Sequence, residues 1–372
     1  MDFSLNNEQI AIRDTALNFR KRAILPRVEE FDKSSMPYPA EWIQTANELG
    51  FSSLVIPSSL GGVGAGTLTA GIVLEELAAG CAGFATALLG IYSAVLAVLL
   101  CDNRKKAQEL LVEDMETSGR NWRASLCGFP FSPFERNANG EVDGRAYGVI
   151  GIGCSSWYAV LVREASATKC YIIRDKSPVF TMEPFSAPLG LRSATLGKMS
   201  VKNWRPTEEE KVGEIEMNRL LALVAPLQGC VAVGCARGAI DAAESYARER
   251  YQGGDIIIKH DAVAHLVLSN KARINSARAS LWKVLTQNDD LLDKESGALM
   301  GNPNLEEAVL SRVFATDCAL QAALDAVQCF GGYGYMRDFP VEKRLRDARS
   351  IGTIMGTTPE LLSHIKFTLE DA

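Results

Sequence analysis

The spacing of apolar residues predicts a chain that is helical at both ends and strand-rich in the middle. From Asn6 to Leu25 the positions Ile10, Ala11, Ala16, Leu17 and Ile24 repeat at helical spacing, and Pro26 closes the run. Residues 41–50 predict a second helix capped by Gly50, followed by a glycine-rich turn over 58–66. That turn lacks the Gly-Lys-Ser/Thr ending of a phosphate loop and reads as structural. Residues 78–101 carry no charged side chain. Gly80, Gly83, Thr86, Gly90, Tyr92 and Ser93 dilute the run, and its flanks show no positive-inside asymmetry. The expectation is therefore a buried central helix and no membrane span.

From about residue 121 short β-rich runs take over: Trp122–Cys127, Tyr158–Val162, Cys170–Ile173 and Gly197–Val201, separated by turn material at 137–140, 143–144 and 174–178. Residues 207–216 read as an acidic linker. A long helix over 218–252 follows, then a helix carrying His260 and His265, a polar loop over 287–304, and a helix that breaks at Gly331-Gly332. Val341–Ser350 predicts another helix, and the last ten residues a fraying helix end. The plan is mostly α with a middle β-domain: an N-terminal helical domain over 1–119, a middle β-domain over 120–214 and a C-terminal helical bundle over 215–372.

With 372 residues, 47% hydrophobic and 23% charged, the chain can bury a sizeable core as two or three domains. A net charge of −6, without a basic stripe, argues against nucleic-acid binding. The nine cysteines are odd in number and contain no Cys-x-x-Cys, which suggests free thiols in a reducing compartment. Met1–Gln9 carries Asp2 and Glu8 and no apolar core of a signal peptide, so a cytoplasmic location is expected. His260 and His265, five apart, fall on different helix faces, and no metal site is expected. The three histidines and scattered thiols form no Ser-His-Asp or Cys-His pattern.

The densest chemistry lies in 328–358. Gln328-Cys-Phe-Gly-Gly lets the backbone turn tightly and approach a ligand, and the next helix carries Arg344, Arg346 and Arg349 around Asp347. This stretch closely resembles the C-terminal signature of the acyl-CoA dehydrogenase family. Pro57–Gly64 is similar to the family's N-terminal glycine corner, Pro188–Ala194 to its Met-Gly-x-Arg-Ser segment, and Tyr246–Gly254 to its Tyr-Ala-x-x-Arg-x-x-Phe-Gly, with Gly253 in place of Phe. The resemblance implies the acyl-CoA dehydrogenase fold and an FAD cofactor. It implies that Arg250, Gln252, Gly253, Gln328, Gly331, Gly332 and Thr357 bind that cofactor. A guanidinium suits a pyrophosphate because it is always charged and meets phosphate oxygens in pairs.

The chain departs from the family at its chemical centre. Met355 stands where the family's catalytic glutamate precedes a Gly-Thr, and the alternative base position on the long helix falls at Val224 and Ala225. Removing an α-proton from an acyl thioester needs a carboxylate within hydrogen-bond reach, which none of these supplies. The loops that hold the flavin ring in relatives read Cys127–Phe134 and Val149–Ser156 here, and Ser132, Ser155 and Ser156 are not singled out by spacing. Three readings follow. The first is a subunit of a hetero-oligomeric acyl-CoA dehydrogenase, a tetramer by resemblance, whose second dehydrogenase subunit supplies base and flavin shelf. The second is a self-sufficient divergent flavoenzyme, monooxygenase-like or acting on carrier-protein thioesters. The third is a non-catalytic scaffold. For the first, the resemblance implies an acyl-CoA substrate and an electron-transfer flavoprotein as acceptor.

Overall fold

The structure is a computed structural model that describes residues 4–34, 36–131, 133–174 and 178–370. Ser132 and the middle of the expected 174–178 turn lie outside the described residues. The chain opens with α1 (Asn7–Phe19), α2 (Val28–Ser34), α3 (Ala40–Glu48), α4 (Gly66–Ala78), α5 (Ala82–Leu99) and α6 (Arg104–Ser118). Asn6 starts α1 as a capping box: its side chain accepts from the Gln9 amide at 2.8 Å, and Gln9 Oε1 accepts from the Asn6 amide at 3.1 Å. The helix continues as one π-helical turn over Arg20–Ile24 before Pro26.

Eight strands follow: β1 (Ala124–Cys127), β2 (Phe134–Arg136), β3 (Val142–Val149), β4 (Trp157–Glu164), β5 (Ala167–Arg174), β6 (Phe180–Pro184), β7 (Gly197–Trp204) and β8 (Lys211–Ile215). They form one sheet in the order β6-β7-β3-β2-β4-β5-β8, with β1 beside β4. β1 and β2 pair with β4 in parallel, and the other pairings are antiparallel. The expected acidic linker over 207–216 is corrected here. Lys211–Ile215 is an edge strand hydrogen-bonded to β5, its Val212 and Ile215 turned into the core. Its short length and flanking glutamates hide it from a search for long apolar runs.

β4 shows how the layers join. Trp157, Ala159 and Leu161 face the helical core, while Tyr158, Val160 and Val162 fill the interior of the sheet, the two-residue alternation of a strand buried on both sides. α5 lies behind it, buried along its whole length. Among the described residues two helices, α5 and α7 (Met217–Glu249), are long and apolar enough to cross a membrane, and the apolar stretch of each is buried within the protein. After α7 come a short hairpin, β9 (Tyr251–Gln252) and β10 (Asp255–Ile256), then α8 (Asp261–Leu291), α9 (Leu305–Phe330), α10 (Val341–Ile351) and α11 (Thr358–Glu370). His260 stands at the N-cap position before α8, rather than lying on the helix as expected.

The sheet is fastened to the C-terminal helices by α10. The Leu191 amide donates to Asp347 Oδ1 at 2.6 Å, and Asp347 also pairs with Lys343. Gly190 lies so close to α10 that a Cβ there would stand 2.3 Å from the Arg346 carbonyl oxygen. Arg346 in turn grips Asp32 of α2 through both Nη atoms and Glu342 through Nε at 2.7 Å. One short helix thus touches all three parts of the chain.

Burial opposes ionisation of Asp32, but Arg346, Lys343 and Arg192 outweigh it and hold its carboxyl below the usual carboxylate range. A carboxylate held low stabilises the fold above its unfolded pKa, and that contribution is lost as pH falls through the folded value. Wild-type stability is therefore expected to fall below about pH 4. Asp32→Asn is expected to flatten that acid slope and to cost about 3–5 kcal/mol at neutral pH, as when one member of a buried ion pair is removed. Urea unfolding at a series of pH values measures both.

Candidate functional site

The segment after α10 turns twice through left-handed backbone. Met355 has φ +52° and Gly356 φ +91°. A methionine in that region costs on the order of 1 kcal/mol, so surrounding contacts must hold it. Two buried side chains do so. Gln228 of α7 donates from Nε2 to the carbonyls of Ile351 at 2.7 Å and Ile354 at 2.8 Å. Arg312 of α9 donates from Nη2 to the Gly356 carbonyl at 2.7 Å and the Ile354 carbonyl at 3.4 Å, and from Nε to Gln228 Oε1 at 3.2 Å. Arg312 is fully buried, has no carboxylate partner among the described residues, and leaves Nη1 without a hydrogen bond. Burial pulls its pKa down to about 10, so it remains a cation at neutral pH. Its charge sits at the C-terminal end of α10, where the helix dipole favours a cation. Sequence patterning singles out neither Gln228 nor Arg312. The available signal is an arginine in register with Ala308, Ala315 and Ala319 on the inner face of α9.

Met355 faces a cleft of about 490 Å³ between this segment and the sheet domain. The far wall is aromatic: Phe129 and Phe131 from the β1–β2 loop, Tyr147 at the end of β3, and Phe185 after β6. Gly148 beside Tyr147 has open space where a side chain would lie. Arg349 and Glu360 are the charged residues that line the cleft. Ser155 is not available to it, being buried with its hydroxyl bonded to Ser125 Oγ and the Gly151 carbonyl. Val224 and Ala225 are also buried, Val224 in the main core and Ala225 against Leu221 and Val309, and neither lines the cleft. A larger cavity of about 1030 Å³ opens between the end of α5, the β4–β5 turn and the start of α7, and contains none of the residues expected to hold a cofactor.

The residues expected at the cofactor divide between the two ends of α10. Thr357 lies at the cleft end, where its amide donates to Glu360 Oε2 at 2.8 Å and its hydroxyl at 2.7 Å. Arg250, Gln252, Gly253, Gln328, Gly331 and Gly332 gather at the other end, about 16 Å away along the helix. There the Arg250 guanidinium lies over the Tyr333 ring, 5.7 Å from its centroid, with no carboxylate partner among the described residues. Tyr246 stacks on Phe330 at 4.2 Å, tying the end of α7 to the end of α9. Gly331 (φ +57°) and Gly332 are exposed, and no atom lies within 4 Å of where a Cβ would stand on either. Gly253 (φ +68°) turns the β9–β10 hairpin beside His260, whose Nε2 donates to the Gln252 carbonyl at 2.9 Å. An unpaired guanidinium beside an open, side-chain-free turn suits a phosphate ligand.

Two family profiles match the chain. The "Acyl-CoA dehydrogenase, N-terminal domain" profile matches residues 6–110, and "Acyl-CoA dehydrogenase, C-terminal domain" matches residues 215–366. The chain belongs to the acyl-CoA dehydrogenase family. It is 26% identical to the Mycobacterium tuberculosis protein named "Probable acyl-CoA dehydrogenase FadE25", over 95% of this chain and 93% of that protein. Butyryl-CoA dehydrogenase from Megasphaera elsdenii shares its fold with a TM-score of 0.87 at 22% identity, covering 99% of this chain and 100% of that one. A glutaryl-CoA dehydrogenase from Mycobacterium smegmatis, solved with FADH2, gives a TM-score of 0.85 at 15% identity, covering 99% and 96%. The three-domain acyl-CoA dehydrogenase fold is thus present, and the chain is an enzyme of the flavin oxidoreductase type.

One expectation is corrected. The butyryl-CoA and glutaryl-CoA dehydrogenases that share this fold are homo-oligomers, so a second, unlike dehydrogenase subunit is not indicated. The missing base and the altered flavin-ring loops suggested such a partner, but side chains absent from a site are not by themselves a signal for a second chain.

Arg312→Met is expected to strand Gln228 Oε1 and the Gly356 carbonyl, at about 1–3 kcal/mol per buried group left without its donor. Hydrogen exchange is expected to speed up over 351–357 before it does so elsewhere, whereas Arg312→Lys retains part of the protection.

Proposed function

We propose that this protein is an FAD-dependent oxidoreductase that oxidises an acyl thioester, acting as an assembly of identical chains. The carrying observation is the unpaired Arg250 beside the open Gly331-Gly332 turn, one helix length from a cleft with aromatic walls. In this reading Arg250, Gln252, Gly253, Gln328, Gly331 and Gly332 hold the pyrophosphate and adenine arm, and the flavin ring lies in the cleft near Met355 and Thr357. FAD, when bound, supplies a two-electron acceptor. The chain's own part is to hold it and the thioester in register and to exclude water with Phe129, Phe131 and Phe185.

The cleft also constrains the proton chemistry. Met355 is apolar, and Val224 and Ala225 are enclosed in the core, so the α-proton leaves to a group at neither expected base position. The glycine turn accepts a bulky phosphate without displacing side chains, which favours a dinucleotide over a small anion held by side chains alone.

Arg250→Ala and Gln328→Ala are each expected to weaken FAD retention more than tenfold, since a charge-assisted contact to phosphate is worth about 1.5–3 kcal/mol. Flavin absorbance after gel filtration measures it. Undiminished occupancy in both variants would remove the basis for this assignment.

A further inference from the structure

The cleft holds one carboxylate among its lining residues, that of Glu360. Glu360 occupies the third position of α11 and reaches back to Thr357, the geometry of a helix-capping glutamate. Capping engages only half of it. Both bonds from Thr357 go to Oε2, and Oε1 has no partner among the described residues. Thr357 follows Met355 by two residues, so the carboxylate, 2.8 Å from the Thr357 amide, lies within about 10 Å of the Met355 Cα. Met355 and Glu360 line the same cleft, and Glu360 is exposed to solvent there. The remaining neighbours leave it little competition. Arg349 stands in the cleft lining without an ion-pair partner among the described residues, and Tyr147 is the titratable group on the sheet side. His364, one turn along α11, is occupied by Asn218 at 2.7 Å and packs against Phe131.

We propose that Glu360 is the general base of this enzyme, accepting the substrate's α-proton at Oε1 in place of the residue that Met355 cannot supply. This role rests on the acyl-thioester reading above. As the Cα–H bond breaks, its electron pair forms the Cα=Cβ bond and the proton passes to Glu360. With FAD bound, the cofactor would supply the two-electron acceptor for the β-hydrogen, which would leave with its electron pair as hydride. The thioester thus loses two hydrogens, Glu360 gains one proton, and the cofactor takes the two electrons. The Thr357 amide, and then its hydroxyl, hold the carboxyl below its ordinary value, so Glu360 is ionised and able to accept at neutral pH.

Glu360→Gln separates base from cap, because the amide oxygen of glutamine still accepts from Thr357. The full chain, with and without FAD, is incubated in D2O with butyryl-CoA, octanoyl-CoA and 3-phenylpropionyl-CoA. Deuterium at the α-carbon is read by mass, and flavin bleaching is followed anaerobically. Wild type is expected to wash in deuterium and to bleach with at least one thioester. Glu360→Gln is expected to lose both by about 100-fold or more, with FAD content and melting temperature unchanged. Met355→Glu added to Glu360→Gln is expected to restore them. Thr357→Val, which frees Oε2 from one donor, is expected to move the acid limb of the exchange profile to higher pH. That shift remains readable if Glu360→Gln folds poorly, and a purely structural role would not produce it. Wild-type rates in folded Glu360→Gln, or an unmoved acid limb in Thr357→Val, overturn Glu360 as base while leaving the thioester reading intact. Neither exchange nor bleaching by wild type with any of the three overturns the thioester reading and the base together.

Discussion

Asp347 joins the two walls of the cleft. Its carboxylate takes the Leu191 amide from the sheet side and Lys343 from its own helix, and all three residues are buried. A charge-assisted bond of this kind is worth about 1.5–3 kcal/mol, but its positional effect is larger. It brings the Gly190 backbone against α10, and the close approach works only because Gly190 has no side chain. The approach of the sheet to α10 follows from that contact, while the length of α10 sets the separation of its two ends. Arg346 extends the anchorage to Asp32, so the N-terminal helices share in fixing the same helix.

A second constraint acts at the end of α10. Arg312 is a buried cation held by carbonyl dipoles and Gln228, with no ion pair to a carboxylate among the described residues. Such a group is costly unless every nearby acceptor is aimed at it. Here the acceptors are the carbonyls of Ile354 and Gly356, which flank Met355 and set its left-handed backbone. The cation thus shapes the floor of the cleft without lining it.

The legible parts of the sequence are those where backbone geometry demands particular residues. Gly331 and Gly332 mark the turn, Pro26 and Gly50 mark helix ends, and the charge-free run from Ala78 to Cys101 contains the buried α5. Short polar strands are harder. β2, β6 and β8 have three to five residues each, too few for alternation to stand out, and the glutamates around β8 give it the look of a linker. The interior of the site is least legible. Arg312 lies in an alanine-rich helix and faces inward only because Gln228 and two carbonyls await it from α7 and the α10–α11 segment. Glu360 reads as an ordinary capping residue, since Thr-x-x-Glu explains it locally and only the tertiary fold places it at the cleft. The chemistry of this chain is therefore harder to read than its fold.

On this reading each chain offers both a ring cleft and a nucleotide-arm turn. Counting flavin per chain in the assembled protein after saturation with FAD tests that most directly, with native mass giving the number of chains. The prediction is an assembly of one kind of chain holding about one FAD per chain, its absorbance lost on removal of the cofactor. An assembly that takes up no FAD, or about one for every two chains, would contradict it.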